Sequence, residues 1–290
     1  MVGAIAERAA PQGLDVATRA KKSRLMLEVI DKGSCTDAHP VPLLFVHGGW
    51  HGAWCWDDGF LDFFADAGYR AVAMSLRGHG TSPTDKPLPK VCIEDYIDDV
   101  RSVADDLGGA PVLIGHSLGG YTIQRYLEDR TAPAAVLVGS IPPSGVLGAA
   151  LRVWRRRPWM TVHSFNDPTL VKFLRTSGLA RAYLFCKDTP EDIVLSCWHR
   201  AGPESIRAAM TDPMFRRVKT DRVTTPMLVL GAVHDGFVSV GAVRATARAY
   251  RTEPEFFPMG HNMMLEPGWP DVAKRIHAWL DAHDLAGNAG

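Results

Sequence analysis

The chain has 290 residues, of which 46% are hydrophobic and 22% are charged, and its 32 basic side chains balance its 32 acidic ones. This composition is ordinary for a folded globular protein and gives no reason to expect nucleic acid or an anionic membrane as a partner. The five cysteines are scattered without metal-type spacing, so we expect reduced thiols, no metal site and a cytoplasmic protein.

The first predicted feature in chain order is a leader over residues 1–22. This stretch is rich in alanine and charge and lacks the continuous apolar run of a secretory signal. No apolar run of the chain approaches the roughly 20 residues that cross a bilayer. We therefore expect the folded part to begin near residue 23.

Strand-like and helix-like segments then alternate along the chain. Residues 41–46 form an apolar run typical of a buried strand, whereas Val272, Ile276 and Leu280 recur at four-residue steps, as on one face of a helix. The predicted strands cover residues 24–30, 41–46, 69–76, 110–114, 134–138, 226–230 and 255–257, and the predicted helices cover 56–67, 94–107, 120–128, 240–250 and 271–283. This order predicts an α/β fold with a mostly parallel central sheet and helices on both faces.

The alternation stops between residues 142 and 213, where the sequence has helix-like patterns but no clear buried strand. An insertion between the strands at 134–138 and 226–230 would lie over the carboxyl ends of the strands, where ligands bind in open α/β sheets. We therefore predict a helical cap over residues 142–213, on a core built from residues 23–141 and 214–290.

The cap is rich in aromatic residues, and these have two interpretations. Trp154, Trp159 and Trp198, together with Trp50 of the core, are candidates for the walls of a mostly apolar substrate pocket. The alternative is that the cap aromatics fill a core of their own, which for most of them individually is the better expectation because aromatic side chains are usually buried.

The segment Gly115-His-Ser117-Leu-Gly119 has the Gly-x-Ser-x-Gly pattern of a nucleophile elbow. It follows a predicted strand and precedes a predicted helix, which is the context this pattern requires. The sharp turn holds the serine in a strained conformation with its hydroxyl exposed, and the glycines remove Cβ atoms that would clash. We interpret Ser117 as a nucleophile.

A serine nucleophile needs a base that takes its proton and an acid that orients the base. Asp235 and His261 each follow a predicted strand, in the order that such a site requires. The other common place for the acid is the end of the strand at 134–138, where the sequence reads Gly139-Ser-Ile-Pro without a carboxylate. These positions predict a catalytic triad of Ser117, Asp235 and His261.

A tetrahedral oxyanion needs two preorganised N–H donors. The backbone of Leu118, directly after the nucleophile, and that of Gly49, in the loop after the strand at 41–46, are the expected donors of an oxyanion hole. His47 and His116 lie beside these donors, and we expect both to support the loops through hydrogen bonds to the backbone.

Five strand-end motifs fall in the order found in the α/β-hydrolase family, and the chain resembles that family over about residues 41–282. They are His47-Gly-Gly-Trp, Arg77-Gly-His-Gly-Thr-Ser, Gly-His-Ser117-Leu-Gly-Gly, Val-His-Asp235-Gly and Gly-His261-Asn-Met-Met-Leu-Glu-Pro. The segment from His47 to Trp56 and the tail from Met263 to Pro267 are similar to the methylesterase and hydroxynitrile lyase branch. The resemblance implies an α/β-hydrolase fold and a serine esterase.

The chain departs from several branches of this family. Hydroxynitrile lyases carry threonine at position 48 and lysine at position 262, where this chain has Gly48 and Asn262. Cofactor-independent dioxygenases typically show histidine where Leu118 stands, and epoxide hydrolases need a carboxylate in place of Ser117. The loop at Arg77 looks more like bacterial members, including meta-cleavage C–C hydrolases and lactone hydrolases.

The sequence thus predicts a serine hydrolase that cleaves a carboxylic ester of a small, largely apolar substrate through an acyl-enzyme, without a metal or cofactor. Hydrolysis of a C–C bond or of a lactone on the same triad remains open, and a hydroxynitrile lyase or a non-catalytic ligand receptor is disfavoured. The expected partner is a small-molecule acyl substrate, not nucleic acid or a membrane, and both a monomer and a homodimer are compatible with the sequence.

Overall fold

The computed structural model describes residues 25–156 and 169–283. The predicted leader and Trp159 lie outside these ranges. Among the described residues, strands form one seven-stranded sheet in the order β1-β3-β2-β4-β5-β6-β7. The strands are β1 (Val29–Lys32), β2 (Leu43–Val46), β3 (Ala71–Met74), β4 (Val112–His116), β5 (Ala135–Val138), β6 (Met227–Ala232) and β7 (Pro254–Phe257). Only the edge strand β1 pairs antiparallel, so the predicted α/β class is confirmed.

Helices cover both faces of the sheet. In chain order the helices of the described residues are α1 (Trp54–Asp57), α2 (Phe60–Asp66), α3 (Ile93–Asp106), α4 (Leu118–Tyr126), α5 (Leu147–Arg156), α6 (Ser177–Leu184), α7 (Glu191–Arg200), α8 (Asp212–Phe215), α9 (Val240–Ala249) and α10 (Trp269–Asp281). Alternate residues of β2 show the two layers: Leu43 and Phe45 face the core under α1, α2 and α10, while Leu44 and Val46 face α3, α4 and α9. None of these helices has both the length and the apolar character to span a membrane.

Most predicted elements are present with ends shifted by a few residues, and one helix differs. The predicted helix at 56–67 consists of two short helices, α1 and α2, which are separated at Asp58 and Gly59. Gly59 has a φ of 93°, in the left-handed region that ends a helix and favours glycine. The apolar spacing across this break misled the sequence interpretation, because both short helices bury their aromatic residues in the same core.

The segment from 142 to 213 is helical wherever the structure describes a regular element in it. Besides α5 to α8 it contains a 3₁₀ turn at Val171–Leu174 and a π-helical turn at Arg207–Thr211. Phe173, Tyr183 and Phe185 belong to a buried cluster that is distinct from the two cores of the sheet. These aromatics therefore fill a core of their own, as the second interpretation expected. The role of this segment as a cap stays a prediction.

Candidate active site

The predicted site residues come together at the carboxyl ends of four parallel strands, β2, β4, β6 and β7. β4, β5, β6 and β7 are consecutive neighbours, and β2 lies on the other side of β4. Because parallel strands end at the same edge of the sheet, the loops that follow β2, β4, β6 and β7 meet there. These loops carry Gly49, Ser117, Asp235 and His261 respectively.

The loop after β4 has the geometry of a nucleophile elbow. Ser117 sits between β4 and α4 with φ 51° and ψ −114°, a strained conformation for a residue other than glycine. A Cβ on Gly119 would lie 2.4 Å from the carbonyl oxygens of Val46 and His47, and one on Gly115 would lie 2.7 Å from the backbone of Gly120. The turn is therefore tight enough to require both glycines of the motif.

Ser117, His261 and Asp235 form one hydrogen-bonded chain. His261 Nε2 lies 2.9 Å from Ser117 Oγ, and His261 Nδ1 lies 2.8 Å from Asp235 Oδ2. The other carboxylate oxygen of Asp235 accepts the backbone N–H groups of Phe237 and Val238, both at 2.7 Å. Asp235 and His261 are buried, with 3% and 2% of their surfaces exposed. A carboxylate at Nδ1 favours the tautomer that leaves Nε2 free to accept a proton from the serine.

The loop after β2 lies against the elbow. A Cβ on Gly48 would approach the Cβ of Ser117 to 2.9 Å, so the two loops are in contact. Gly49 and Leu118 line the same cavity as Ser117. In the part of the chain that the structure describes, no hydrogen bond has the backbone nitrogen of Gly49 or Leu118 as its donor. The backbones of both residues lie at the wall that a ligand atom beside Ser117 would meet.

The two histidines beside these donors contact the backbone, as predicted. His47 accepts the N–H of Leu76 at Nε2, 3.0 Å away, so its Nδ1 donates to the carbonyl of Gly48 at 2.7 Å. His116 Nε2 lies 3.0 Å from the carbonyl oxygen of His261. Burial holds the pKa of both imidazoles well below the usual histidine value, so both rings are neutral.

A cavity of about 260 Å³ opens beside Ser117, between the sheet and the helical segment. Its wall is mostly apolar and comes from α5, the 3₁₀ turn, the π-helical turn and the start of α9. Its apolar lining residues include Ile141, Val146, Ala149, Val153, Phe173, Ile206, Ala209, Met210 and Val238. Arg152 also lines it, and its Nη2 donates to the backbone carbonyl of Asp235 at 3.1 Å.

Of the four tryptophans predicted for the wall, the structure places one there. Trp50 lines the cavity, whereas Trp154 and Trp198 do not, and Trp159 lies outside the described residues. Trp154 is 51% exposed, on the outer side of α5. The indole of Trp198 donates to the carbonyl of Leu174 at 2.7 Å, within the helical segment.

The aromatic residues that do line the wall with Trp50 are Phe173 and Phe237, which the sequence interpretation did not single out. The position of Phe237, two residues after Asp235, was a usable signal, because a residue so close in sequence to a predicted site residue lies near the site. Nothing local in the sequence marks Phe173. Its place depends on how the helical segment folds back over the sheet.

Trp50 joins the loop after β2 to the helical segment. Its indole N–H donates to the carbonyl of Leu170 at 3.2 Å, and its own carbonyl accepts the N–H of Gly202 at 2.8 Å. The ring stacks on both Phe173 and Phe237, with centroid distances of 5.5 and 5.8 Å, and these two rings also contact each other at 5.4 Å. Trp50 has a φ of 66°, which is unusual for a bulky residue, and these hydrogen bonds and ring contacts hold it in that conformation.

One group of potential metal ligands occurs within the described ranges. Cys92, Glu94 and Asp212 converge at the beginning of α3. Glu94 is paired with Arg216, and Asp212 accepts the N–H of Ile93 at 3.0 Å, so the carboxylates already have partners. We assign no metal to this group.

Comparison with known proteins places the chain among hydrolases. The model of the alpha/beta hydrolase family matches residues 43–273. A non-heme chloroperoxidase of Burkholderia pyrrocinia is 38% identical over 220 residues, which cover 69% of this chain and 76% of that protein. The probable esterase PIR7A of Oryza sativa is 31% identical over 170 residues, 53% of this chain and 63% of its own length.

Solved structures show the same architecture. An esterase from Thermogutta terrifontis superposes with a TM-score of 0.71 at 22% identity, over 94% of this chain and 100% of that one. Several of the curated relatives are matched over only part of their length, and the chain spans 38% to 63% of four of them.

Proposed function

The chain belongs to the alpha/beta hydrolase family, and on this premise we propose that it is a serine hydrolase that cleaves carboxylic esters of small, largely apolar substrates. The family match and the sheet topology confirm the predicted fold. The observation that carries the proposal is the hydrogen-bonded chain from Asp235 through His261 to Ser117, which ends at the wall of an apolar cavity.

The first step forms an acyl-enzyme. Ser117 Oγ attacks the ester carbonyl carbon while its proton passes to His261 Nε2, and Asp235 stabilises the resulting imidazolium. The carbonyl π pair moves onto oxygen, which becomes the oxyanion of a tetrahedral intermediate. When the carbonyl re-forms, the bond to the alcohol oxygen breaks, and His261 returns its proton to the leaving alcohol. Water activated by His261 then cleaves the acyl-enzyme by the same sequence in reverse.

The backbone N–H groups of Gly49 and Leu118 are the proposed donors to the oxyanion. Both border the cavity beside Ser117. Because such donors are fixed before the reaction, they stabilise the developing charge without reorganisation, and removal of a single donor typically costs about 3–4 kcal/mol of transition-state stabilisation. In this mechanism the protein's own groups carry every proton and hold every charge, so the proposal includes no metal or cofactor.

The substrate class follows from the wall of the cavity. Its aliphatic and aromatic lining favours an apolar acyl or alcohol group, and a volume of about 260 Å³ favours a small one. We propose that residues 142–213 act as a cap, because α5, Phe173 and Met210 contribute to the wall of the cavity that Ser117 borders. The cytoplasmic location and the small-molecule partner remain predictions.

Two alternatives use the same triad, namely hydrolysis of a C–C bond in a meta-cleavage product and hydrolysis of a lactone. Lyase activity is disfavoured because the residue after His261 is the neutral Asn262, whereas release of cyanide needs a cation there. A ligand receptor is disfavoured because a receptor has no need of the strained Ser117 or of its alignment with His261.

The test compares the wild-type protein with Ser117→Ala on short p-nitrophenyl esters. We expect the variant to lose about 10⁶-fold in kcat, the loss seen when a triad serine is removed. Ser144→Ala is the matched control, because Ser144 lines the cavity and is exposed, and it should keep wild-type turnover. Turnover retained in Ser117→Ala would refute the proposal. Turnover of lactones or ring-cleavage products but not of esters would select an alternative.

A further inference from the structure

A second group of buried polar side chains connects the residue after the catalytic base to the loop of the oxyanion hole. Its members are His51, Asn262 and Cys197, and all three are buried. Asn262 Nδ2 lies 3.1 Å from His51 Nε2 and 3.5 Å from Cys197 Sγ. On its other side, His51 Nδ1 lies 2.6 Å from the carbonyl oxygen of Gly49. The triad chemistry described above uses none of these side chains.

The hydrogen bonds of His51 determine its tautomer. A carbonyl oxygen can only accept, so the bond to Gly49 requires a proton on Nδ1. In a neutral ring Nε2 then carries a lone pair and needs a donor. The amide of Asn262 lies 3.1 Å from it and the thiol of Cys197 lies 3.6 Å from it, so the amide is the nearer donor. Burial lowers the pKa of His51 to about 4, so the ring is neutral at ordinary pH. An amide, unlike a carboxylate, supports this state without charging the ring.

These bonds fix two successive peptide groups around the proposed oxyanion donor. His47 donates to the carbonyl of Gly48, which belongs to the same peptide group as the Gly49 N–H. His51 donates to the carbonyl of Gly49, which belongs to the next peptide group. Peptide groups are planar, so holding both carbonyls determines the direction of the N–H between them.

We propose that Asn262 and His51 are positioning residues that hold the Gly49 N–H in register with Ser117 and His261. Asn262 is adjacent in sequence to His261, and its own N–H donates to the carbonyl of Leu184 at 2.8 Å. The backbone of Asn262 is thus fixed to the end of α6, one residue from the base. The relay from Asn262 through His51 to Gly49 sets the oxyanion donor at a constant position relative to the base. This inference rests on the proposed esterase function.

The test uses a readout that only the oxyanion hole affects. A thionoester replaces the carbonyl oxygen with sulfur, a much weaker hydrogen-bond acceptor, so the rate ratio of ester to thionoester reports how well the donors are aimed. We expect Asn262→Leu and His51→Phe each to lower this ratio about tenfold, with kcat reduced and KM nearly unchanged. An unchanged ratio in both variants would overturn the proposal.

Three further variants separate positioning from a general loss of stability. His51→Gln retains an amide donor that can reach the Gly49 carbonyl, so it should recover most of the ratio lost in His51→Phe. Thr246→Val removes a buried hydrogen bond of 3.0 Å to the carbonyl of Ala242 on α9. It should lower the melting temperature about as much as Asn262→Leu and His51→Phe do, but leave the ratio of ester to thionoester rates unchanged. Asn262→Gln provides a folded amide variant if Asn262→Leu fails to fold. Its longer side chain displaces the donor, so we expect a lower ratio there also.

A spectroscopic measurement keeps this inference separate from the proposed function. In ¹⁵N NMR of the wild-type protein at pH 7, with His51 assigned by difference against His51→Gln, we expect a neutral ring protonated on Nδ1. A ring protonated on Nε2 would refute the relay whether or not the protein cleaves esters. An absence of ester turnover in the wild-type protein, together with the Nδ1–H form, would refute the proposed function and leave the hydrogen-bond relay in place.

Discussion

The two sides of the cavity are built in different ways. On the sheet side, each functional group follows a strand directly and is held by hydrogen bonds, as Asp235 is by the N–H groups of residues 237 and 238. On the side of the helical segment, the wall consists of apolar side chains such as Val153 and Phe173, which also belong to that segment's own buried cluster. The proposed chemistry therefore depends on short loops at one edge of the sheet, while the shape of the cavity depends on how a separate helical layer packs over them.

This difference predicts that substitutions on the sheet side change the rate of the chemical step, whereas those on the helical side change which substrates fit. Substitutions that run from the predicted triad to the outer surface of the helical layer test this prediction, and their expected effects decrease in that order. Trp50 lies between the two extremes, because it belongs to the loop after β2 and contacts both layers.

After removal of the nucleophile itself, the largest effect is expected for Asp235→Asn. The amide cannot hold His261 in the tautomer with the proton on Nδ1, so kcat should fall about 10⁴-fold while KM stays within a few-fold. Steady-state kinetics on a p-nitrophenyl ester measures both values. A loss of less than tenfold would mean that Asp235 does not orient the base.

The same site offers a rescue of that variant. Gly139 directly follows β5, and a Cβ placed there would lie 3.6 Å from both Asp235 Oδ2 and His261 Nδ1. A carboxylate added at this position can therefore reach the base, and Asp is one of the residues that tolerate the φ of 52° found there. We expect Asp235→Asn combined with Gly139→Asp to recover at least tenfold of the lost kcat. The single variant Gly139→Asp controls for strain.

The second effect concerns the connection between the layers. Trp50→Ala removes the indole bond to Leu170 and the stacking on Phe173 and Phe237, so the loop that carries Gly49 loses its support. We expect kcat/KM to fall about 10- to 100-fold, the loss that a displacement of about 1 Å can cause. Trp50→Phe keeps the stacking and should lose much less. Equal losses in the two variants would show that the hydrogen bond, and not the stacking, holds the loop.

The third effect is a change in substrate selection without a change in chemistry. Ala209 lies in the π-helical turn and lines the cavity, so Ala209→Phe should shorten it. We expect kcat/KM for hexanoyl and longer esters to fall about tenfold relative to acetyl esters, in line with the 1–3 kcal/mol that a hydrophobic pocket discriminates. Ala278→Phe, on the exposed side of α10, is the control and should leave the selectivity unchanged. An unchanged selectivity in Ala209→Phe would place the acyl group elsewhere.

The contrast between the two layers also explains what the sequence could predict. The convergence of Ser117, Asp235 and His261 was predictable because each stands in a short motif just after a strand, where its place in the fold follows from local sequence. The break between α1 and α2 was missed because apolar spacing continues across it. Phe173 lines the cavity without having been predicted, and Trp154 and Trp198 do not line it, because packing between distant segments decides which faces of the helices turn inward.

The smallest effect is expected for Trp154→Gln, which tests whether the outer surface of the helical segment matters for activity. Trp154 is 51% exposed on the outer side of α5, whereas Phe173 is buried and lines the cavity. A surface substitution of this kind usually changes the free energy of unfolding by less than about 0.5 kcal/mol. We therefore expect kcat/KM within about twofold of wild type for Trp154→Gln, and a clear change in acyl-chain preference for Phe173→Leu. A loss of more than tenfold in kcat/KM for Trp154→Gln would mean that the outer side of α5 takes part in substrate binding. The helical residues that select substrates would then include that outer surface as well as the wall of the cavity.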